Sequence, residues 1–358
     1  MERYRRQIQL EKVGTQGQLA LSKASVLVVG AGGLGSPILQ YLAAAGLGKL
    51  GIADADTVSL SNLHRQLLYT TDDVGRPKVE AAQQHLKAIN PEVETQTYSE
   101  GIHADNATTI FEQYDLIVDA TDNFQARYLI NDVCVALDKP WIFGALYKNE
   151  GQFALFNYHH GPSYRCLYPQ PPKAGEVPSC VEIGVLGTVS GIIGMQMAQL
   201  AIQFFLWPNE LPNTFVFFMN MKDFSLRKMQ LCRTFDADQK EKDITTVDTA
   251  ALPHLRPQEL TPNISIDQLP DYQGADFLDV RELDELPEVP KVPIHRIPLN
   301  QLSDRFDELD RAQTYIVFCQ GGQRARNAVD LMRSQGFEHA YVLEASAAVL
   351  KRKIENSN

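Results

Sequence analysis

The sequence has few cysteines and a shortage of positive charge. Its five cysteines are odd in number and scattered over 358 residues, which is not the pattern of a disulfide framework and favours a reducing compartment. The formal charge of −11 argues against a nucleic-acid backbone as the main partner, although local basic sites for a nucleotide are still allowed. Residues 1–6 lead into a polar segment without the apolar core of a secretory signal, so we expect a cytoplasmic protein.

Long uncharged stretches are also scarce. Residues 183–207 carry no formal charge and are long enough to span a bilayer. They contain several glycines and glutamines, however, and polar groups are penalised in lipid. We therefore predict a buried helix of a large α/β domain and no membrane partner. A composition of 44% hydrophobic and 22% charged residues is that of an ordinary globular protein, and the length suggests two or three domains.

Predicted strands and helices alternate along the first two thirds of the chain, which favours an α/β fold with a mainly parallel sheet covered on both faces. The strands are expected at 24–29, 49–53, 93–98, 115–120 and 141–144, with helices at 36–45, 80–90 and 104–112. A polar stretch with three prolines, 239–263, predicts a linker between domains 1–238 and 264–358. The second, smaller α/β domain has predicted strands at 276–279, 314–318 and 339–343.

A glycine-rich loop follows the first predicted strand. Gly30-Ala31-Gly32-Gly33-Leu34-Gly35 satisfies G-x-G-x-x-G between a strand and a helix. Its glycines permit close approach of the backbone to a phosphate, and the helix N-terminus attracts negative charge. Asp54 ends the next strand, where a carboxylate can accept hydrogen bonds from a ribose. Taken alone, these residues favour an NAD-dependent oxidoreductase.

Two cations and two acids change that interpretation. Arg65 lies just past Asp54, and Lys78 follows in Gly75-Arg76-Pro77-Lys78. A solvated surface charge is the ordinary explanation for either cation alone. Together with the glycine loop they suit a triphosphate better than a diphosphate held by backbone amides. Asp119 and Asp122 close a further strand and are candidate ligands of Mg²⁺.

These motifs give the chain a specific resemblance. From residue 3 to about 231 it resembles the bacterial ubiquitin-activating-like (E1-like) adenylyltransferases, which activate the sulfur carriers of molybdopterin and thiamine synthesis. The resemblance implies a Rossmann-like adenylation domain that binds ATP and Mg²⁺. The implied ligand-binding residues are the loop glycines Gly30, Gly32, Gly33 and Gly35, with Asp54, Asn62, Arg65, Lys78, Asp122 and Asn123. The matching runs are 3–8, 30–35, 54–66, 75–78, 119–123 and 178–187.

The same resemblance implies a substrate and a chemistry. The substrate would be the C-terminal glycine of a ubiquitin-like carrier protein ending in Gly-Gly. Its carboxylate is already ionised at pH 7, so the barrier lies in bringing an anion to the α-phosphate of ATP. Arg65, Lys78 and Mg²⁺ would neutralise that charge, with Arg6 reaching the phosphates from the partner subunit of a homodimer.

The family's usual zinc site is incomplete. Members carry two Cys-x-x-Cys pairs, but here residues 163–166 retain only Cys166, and Cys232 stands without a second cysteine nearby. Four thiolates cannot be assembled, so we expect no structural zinc. Cys180 occupies the position of the family's thioester or disulfide cysteine. It would receive the activated carboxyl or resolve a persulfide; the alternative is a small buried apolar side chain.

Cys319 is the stronger candidate for sulfur chemistry. It opens Cys319-Gln320-Gly321-Gly322-Gln323-Arg324 between an apolar strand and a predicted helix at 325–332, a setting that favours thiolate or persulfide. Residues 264–358 resemble a single rhodanese domain, in which a Cys-x₄-Arg loop suits a terminal sulfur. The resemblance implies a Cys319 persulfide stabilised by backbone amides and Arg324. Residues 343–348 depart from the family's usual Gly-Gly and tryptophan, which leaves a silent rhodanese as an alternative.

The sequence therefore predicts a cytoplasmic, homodimeric enzyme that adenylates a sulfur carrier and converts its C-terminus to a thiocarboxylate. A persulfide donor, either a cysteine desulfurase or thiosulfate, would load Cys319. The alternatives are an adenylyltransferase with a silent rhodanese domain, an NAD-dependent oxidoreductase, and a non-catalytic docking platform for the carrier. Molybdopterin, thiamine, tRNA thiolation and cysteine synthesis are all compatible pathways.

Overall fold

The chain divides into two compact units, Met1–Arg256 and Pro257–Asn358. The computed structural model describes residues 2–172, 184–233, 263–272, 274–283, 285–289, 294–320 and 322–356. The predicted linker, 239–263, lies outside these residues except for Asn263. Cys180 also lies outside them.

The first unit is built on an eight-stranded sheet with the order β3-β2-β1-β4-β5-β6-β7-β8. Neighbouring strands from β3 to β5 are parallel, whereas β5 to β8 pair in an antiparallel manner. The sequence predicted the five parallel strands but not the antiparallel extension. The strands are β1 Ser25–Val29, β2 Lys49–Ala53, β3 Glu94–Tyr98, β4 Leu116–Asp119, β5 Trp141–Tyr147, β6 Glu150–Phe156, β7 Phe215–Asn220 and β8 Leu226–Gln230.

Helices cover both faces of this sheet. They are α1 Arg5–Ile8, α2 Gly14–Leu21, α3 Gly35–Ala45, α4 Lys78–Ile89, α5 Ala104–Phe111, α6 Phe124–Ala136, α7 Tyr164–Leu167 and α8 Gly187–Leu206. The strand sequences are apolar and β-branched, and β1 and β4 are almost wholly buried because helices pack above and below them. One core cluster joins α3, α4 and α8 to one face, and a second joins α5 and α6 to the other.

Helix α8 is the uncharged stretch noted in the sequence. By length and composition it could cross a membrane, and 44% of its most apolar window is buried. Ile193 and Met197 belong to the core cluster shared with α3 and β6. Ala145 of β5 and Ala154 of β6 are buried in the second cluster, on the other face of the sheet. The prediction of a helix packed within the α/β domain is confirmed, although one side of the helix is exposed.

The second unit is a five-stranded, wholly parallel sheet with the order β11-β10-β12-β13-β9. Strand β12 lies at its centre, and its four residues are all buried. The strands are β9 Asn263–Ile264, β10 Asp276–Asp279, β11 Ile294–Arg296, β12 Tyr315–Phe318 and β13 Ala340–Leu343. The helices are α9 Leu299–Leu302, α10 Gln323–Ser334 and α11 Ala347–Asn356.

Candidate functional site

The first candidate site lies at the carboxyl edge of the eight-stranded sheet. Strand β1 has β2 on one side and β4 on the other, and the chain order reverses between β1 and β4. Loops leaving two such strands diverge and open a crevice, which is where doubly wound sheets bind their ligands. The glycine loop follows β1, Asp54 follows β2, and Asp122 follows β4.

The backbone of the glycine loop is tightly packed at its ends and open in its middle. Gly30 has φ 96°, and a Cβ there would lie 2.6 Å from the carbonyl oxygen of Ala120. A Cβ on Gly35 would clash with the carbonyl of Gly30. A Cβ on Gly32 would meet only the Nε2 atom of Gln66, at 3.5 Å. The open middle leaves room for a phosphate to approach the backbone.

Ala31, within the loop, is held from both sides. Its amide donates to Oδ2 of Asp54 at 2.7 Å, and its carbonyl accepts from the Tyr69 hydroxyl at 2.8 Å. Burial raises the pKa of Tyr69, which keeps this hydroxyl a donor. Burial also raises the pKa of Asp54, and the nearby Lys78 opposes that shift. Tyr69 was not predicted as a site residue.

Lys78 is a buried cation at the first residue of α4. Its side chain is 5% exposed, and Nζ lies 2.8 Å from Oδ2 of Asp56 and 3.6 Å from Oδ2 of Asp54. The two carboxylates compensate a charge that would otherwise be costly to bury. The interpretation of Lys78 as a solvated surface charge is therefore wrong. The amine stands beside the carboxylate that binds the glycine loop.

Arg65 lies beside Gly33 of the glycine loop. Its Nη1 donates to the Ser61 carbonyl at 3.1 Å, and its Cδ is 3.5 Å from where a Cβ on Gly33 would lie. Ser190, in the first turn of α8, is 3.2 Å from that same position. Asn62 is partly exposed on the same segment as Arg65. The segment and the start of α8 thus bound one side of the crevice.

Gln66 is a further site residue that the sequence did not single out. It is 4% exposed, and its Oε1 atom is buried without a hydrogen-bond partner among the residues that the structure describes. The Nε2 atom of the same amide faces Gly32. Its position directly after Arg65, at the end of the matching run 54–66, was the signal in the sequence that could have identified it.

The two aspartates near the end of β4, Asp119 and Asp122, lie in different environments. Asp122 is exposed, so its carboxylate can reach a ligand. Asp119 is fully buried, and its Oδ1 accepts from the Thr121 amide at 2.9 Å and from the Thr121 hydroxyl at 2.7 Å. Burial raises the pKa of Asp119 to about 6. The interpretation of Asp119 as a Mg²⁺ ligand is wrong, because its side chain points into the protein.

Asn123 has a structural task as well. Its side-chain oxygen accepts from the amide of Ala126 at 2.8 Å and caps the N-terminus of α6. The residue is exposed beside Asp122. Any contact of its amide nitrogen with a nucleotide would be made from this capping position.

Arg6 lies away from the glycine loop of its own chain. It is exposed on α1, and its neighbour Gln7 donates to the carbonyl of Ala45, the last residue of α3, at 2.9 Å. The glycine loop is at the other end of α3, and eleven helical residues span about 16 Å. Within one chain the structure does not bring Arg6 to the site.

Cys166 and Cys232, the two cysteines considered for zinc in the sequence, lie in different settings. Cys166 is partly exposed on α7, where its sulfur is 3.4 Å from the amide of Ser163. Cys232 is exposed just after β8. Within the described part of the chain, three or more His, Cys, Asp or Glu side chains do not gather into a candidate metal cluster.

The second candidate site surrounds Cys319, at the carboxyl end of β12. Cys319 is 1% exposed, and the amide of Gly322 donates to its sulfur at 3.0 Å. Gly322 has φ 83°, which turns the loop into α10. The Cys319 sulfur therefore accepts from a backbone N–H at the start of α10, and the wider sulfur cradle expected from the sequence stays a prediction.

Arginines and acids flank the Cys319 loop. Nη2 of Arg324 donates to Oε2 of Glu285 at 2.9 Å, and a second bond joins the other atoms of the pair. Arg281 forms a bidentate pair with Asp279 at 2.8 and 2.7 Å and is 1% exposed. Glu285 and Arg281 follow β10, the neighbour of β12, so adjacent strand ends build the site. Neither Glu285 nor Asp279 was predicted as a site residue.

The fold and the two sites together define the class of protein. It has one doubly wound unit of the nucleotide-binding type and one parallel α/β unit with a cysteine loop. A model of the ThiF family matches residues 4–242, and a model of the rhodanese-like domain matches residues 265–352. The chain therefore belongs to the ThiF family and carries a rhodanese-like domain.

Named relatives agree with this assignment. A sulfur carrier protein adenylyltransferase of Thermus thermophilus is 52% identical over 213 residues, 58% of this chain and 78% of that protein. The adenylyltransferase and sulfurtransferase uba4 of Ogataea parapolymorpha is 36% identical over 375 residues, 99% of this chain and 96% of that protein. The adenylyltransferase and sulfurtransferase MOCS3 of Culex quinquefasciatus is 52% identical over 204 residues, but the match spans only 47% of that protein.

A solved structure shares the fold of the first unit. The crystal structure of E. coli MccB with MccA-N7isoASN aligns with a TM-score of 0.56 and 22% identity, over 65% of this chain and 72% of that one. The α/β fold class, the resemblance found in the sequence and the enzyme class, an adenylyltransferase joined to a sulfurtransferase domain, are confirmed.

Proposed function

We propose that this enzyme uses ATP to adenylate the C-terminal glycine of a ubiquitin-like sulfur carrier and then transfers sulfur to that carbonyl through Cys319. The observation that carries the first step is the crevice beside the glycine loop. There a buried Lys78 stands 3.6 Å from Asp54, the same carboxylate that binds the amide of Ala31. A fixed cation beside an open phosphate loop suits a triphosphate.

In the first step a carboxylate oxygen of the carrier attacks the α-phosphorus of ATP, and pyrophosphate leaves. Lys78 lies beside Asp54, and Arg65 lies beside Gly33, and from these positions the two cations would neutralise the phosphate charge as it redistributes. Asp54 would orient the ribose, since its oxygens lie at the end of β2. The nucleophile is already an anion, so these residues need to hold charge and orientation rather than remove a proton.

The exposed carboxylate of Asp122 fits a hard divalent cation, which prefers oxygen ligands. Asp122 would hold Mg²⁺ with help from the ATP phosphates, and the bound ion would supply further charge neutralisation at the phosphates.

In the second step the outer sulfur of a Cys319 persulfide attacks the adenylated carbonyl, and AMP leaves. A thiol then attacks Sγ of Cys319, which releases the carrier as a thiocarboxylate and leaves a disulfide for a second thiol to reduce. The Gly322 amide donates to the Cys319 sulfur at 3.0 Å and would hold Sγ in position while the outer sulfur reacts. Cys180 is a candidate for accepting the carboxyl or for resolving the persulfide.

The proposal also covers the oligomeric state, the cellular location and the source of the sulfur. The exposed Arg6, at the far end of α3 from the glycine loop, would act in the site of the partner subunit of a homodimer. The scattered cysteines support a cytoplasmic location, and a cysteine desulfurase or thiosulfate would supply the sulfur. Molybdopterin, thiamine, tRNA thiolation and cysteine synthesis are the candidate pathways.

The adenylation step is tested by ATP–pyrophosphate exchange with a Gly-Gly-ended carrier. We expect carrier-dependent exchange by the wild-type protein and its loss in Asp122→Ala, with thermal unfolding unchanged because Asp122 is exposed. Glu80→Ala, at an exposed position on α4, is the matched control and should exchange normally. Normal exchange by Asp122→Ala would rule out the role of this carboxylate, and tight binding of NAD⁺ without any response to ATP would support an oxidoreductase instead.

A further inference from the structure

A buried pair of charges lies directly beneath the loop that carries Asp122. Asp119, the last residue of β4, is 0% exposed, and Arg127 of α6 is 6% exposed. Nε of Arg127 stands 4.0 Å from Oδ2 of Asp119. This is the outer limit of an ion pair, and both atoms are buried without a hydrogen-bond partner among the described residues.

The better contacts of both side chains go to Thr121 instead. Oδ1 of Asp119 accepts from the Thr121 amide at 2.9 Å and from its hydroxyl at 2.7 Å. Nη2 of Arg127 donates to the Thr121 carbonyl at 3.1 Å. The amide, hydroxyl and carbonyl of Thr121 are thus all held by one buried pair, and Asp122 is the next residue.

A second ion pair, between α6 and α7, has a different geometry. Arg165 binds Asp132 of α6 in bidentate fashion at 2.8 and 2.7 Å, which is the geometry that an arginine and a carboxylate ordinarily adopt. Arg127 and Asp119 keep a longer separation because each makes its short bonds to Thr121. Asp119 and Arg127 therefore make their shortest hydrogen bonds to Thr121 rather than to each other.

The guanidinium of Arg127 has little freedom to move. It lies 5.4 Å from the ring centre of Phe124 and 5.6 Å from that of Phe143, within the range of cation–π contact. Arg127 belongs to α6, whose first turn is capped by Asn123. The chain from Thr121 to Asn123 is therefore fixed at both ends, with Asp122 between them.

We propose that Arg127 and Asp119 form a clamp on Thr121 that sets the position of Asp122 for the metal–nucleotide complex. Arg127 is a positioning residue in this scheme, since it acts through Thr121 and does not touch the substrate. The inference rests on the proposed function, because it assigns the clamp a task in binding ATP with Mg²⁺. A residue that only stabilises the fold would not change how strongly Mg²⁺ assists ATP binding.

The test measures ATP binding to the full-length protein by calorimetry, once with Mg²⁺ and once with EDTA. Arg127→Lys keeps the charge but cannot hold the Thr121 carbonyl in the same geometry. We expect it to weaken binding about tenfold with Mg²⁺ and less than about twofold in EDTA, as for the loss of hydrogen bonds at a buried group. Arg165→Lys, which disturbs the partly buried pair between Arg165 of α7 and Asp132 of α6, is the control and should leave the ratio of the two affinities at its wild-type value.

A second variant covers the case in which Arg127→Lys fails to fold. Thr121→Val removes the hydroxyl that Asp119 accepts but keeps the side-chain shape, and it should shift the same ratio in the same direction. A wild-type ratio in Thr121→Val, or in a folded Arg127→Lys with only a lower melting temperature, would overturn the clamp. If the wild-type protein binds ATP equally well with Mg²⁺ and with EDTA, that result would instead contradict the metal role in the proposed function.

Discussion

Arg324, in the first turn of α10, is paired with Glu285, which lies in the segment that follows the neighbouring strand β10. The pair includes a 2.9 Å bond from Nη2 to Oε2, and the Arg324 hydrogen bond lowers the pKa of Glu285 to about 2. A carboxylate whose pKa is lower in the folded than in the unfolded state stabilises the protein above the unfolded pKa. That stability is lost as the pH falls from about 4.5 towards 2.

The first prediction follows from this pair. In Glu285→Gln, protection of α10 from amide hydrogen exchange should change little between pH 6 and pH 3 after correction for intrinsic exchange. The wild-type protein should lose protection over that interval. Glu308→Gln removes an exposed pair with Arg305 in the same unit and should behave like wild type, since such pairs contribute little. Equal acid sensitivity of wild type and Glu285→Gln would contradict the assigned role of the pair.

Lys78 should be needed for chemistry more than for folding. Lys78→Ala removes the buried cation beside Asp54 and should lower the rate of ATP–pyrophosphate exchange by about 100-fold or more, a loss of the size seen when a charge-stabilising group is removed from an active site. Lys87→Ala, an exposed position near the end of the same helix, is the control. If both variants exchange at the wild-type rate, the crevice is not the nucleotide site.

The hydroxyl of Tyr69 should tune ATP binding through the glycine loop. Tyr69→Phe leaves the Ala31 carbonyl without its 2.8 Å donor, and a lost hydrogen bond at a buried group is worth about 1 kcal/mol or somewhat more. We expect the KM for ATP to rise about 3- to 10-fold with kcat nearly unchanged. Tyr98→Phe removes a hydroxyl contact with Tyr114 outside the crevice and should leave the KM unaltered; a rise there too would point to general destabilisation.

Zinc content provides a separate check. The sequence contains no Cys-x-x-Cys pair, so four thiolates cannot gather into a standard zinc site, and purified protein should contain less than about one zinc per ten chains by elemental analysis. Treatment with a chelator should leave its melting temperature unchanged. One zinc per chain, lost together with stability in Cys166→Ser, would show that other side chains complete a metal site.

The local sequence was sufficient to predict the parallel strands of the first unit. It was insufficient to predict the antiparallel strands. Strands β1, β2 and β4 are apolar runs that end at a glycine or an aspartate, and these boundaries are visible in the sequence. Strand β8 is exposed at every residue and owes its conformation to pairing with β7. The turn between β5 and β6 places Lys148 at φ 56° without a glycine, so it carries no ordinary hairpin signal.

The residues of the candidate site likewise include some that the sequence identified and others that only the structure shows. Motif spacing brought Gly32, Lys78 and Asp122 to attention because each follows a strand end or begins a helix. Tyr69 reaches Ala31 only through the folded path of the chain, 38 positions apart in sequence. Asp119 was misassigned because spacing alone cannot show which side of a strand end a carboxylate takes.

The central claim is that one chain both activates a carrier and supplies its sulfur. The most direct measurement is the intact mass of a Gly-Gly-ended carrier after incubation with this protein, ATP, Mg²⁺ and thiosulfate. The account predicts replacement of one carboxyl oxygen by sulfur, dependent on ATP and lost in Cys319→Ala. An unchanged carrier mass despite release of pyrophosphate would contradict it and leave an adenylating enzyme with a silent rhodanese domain.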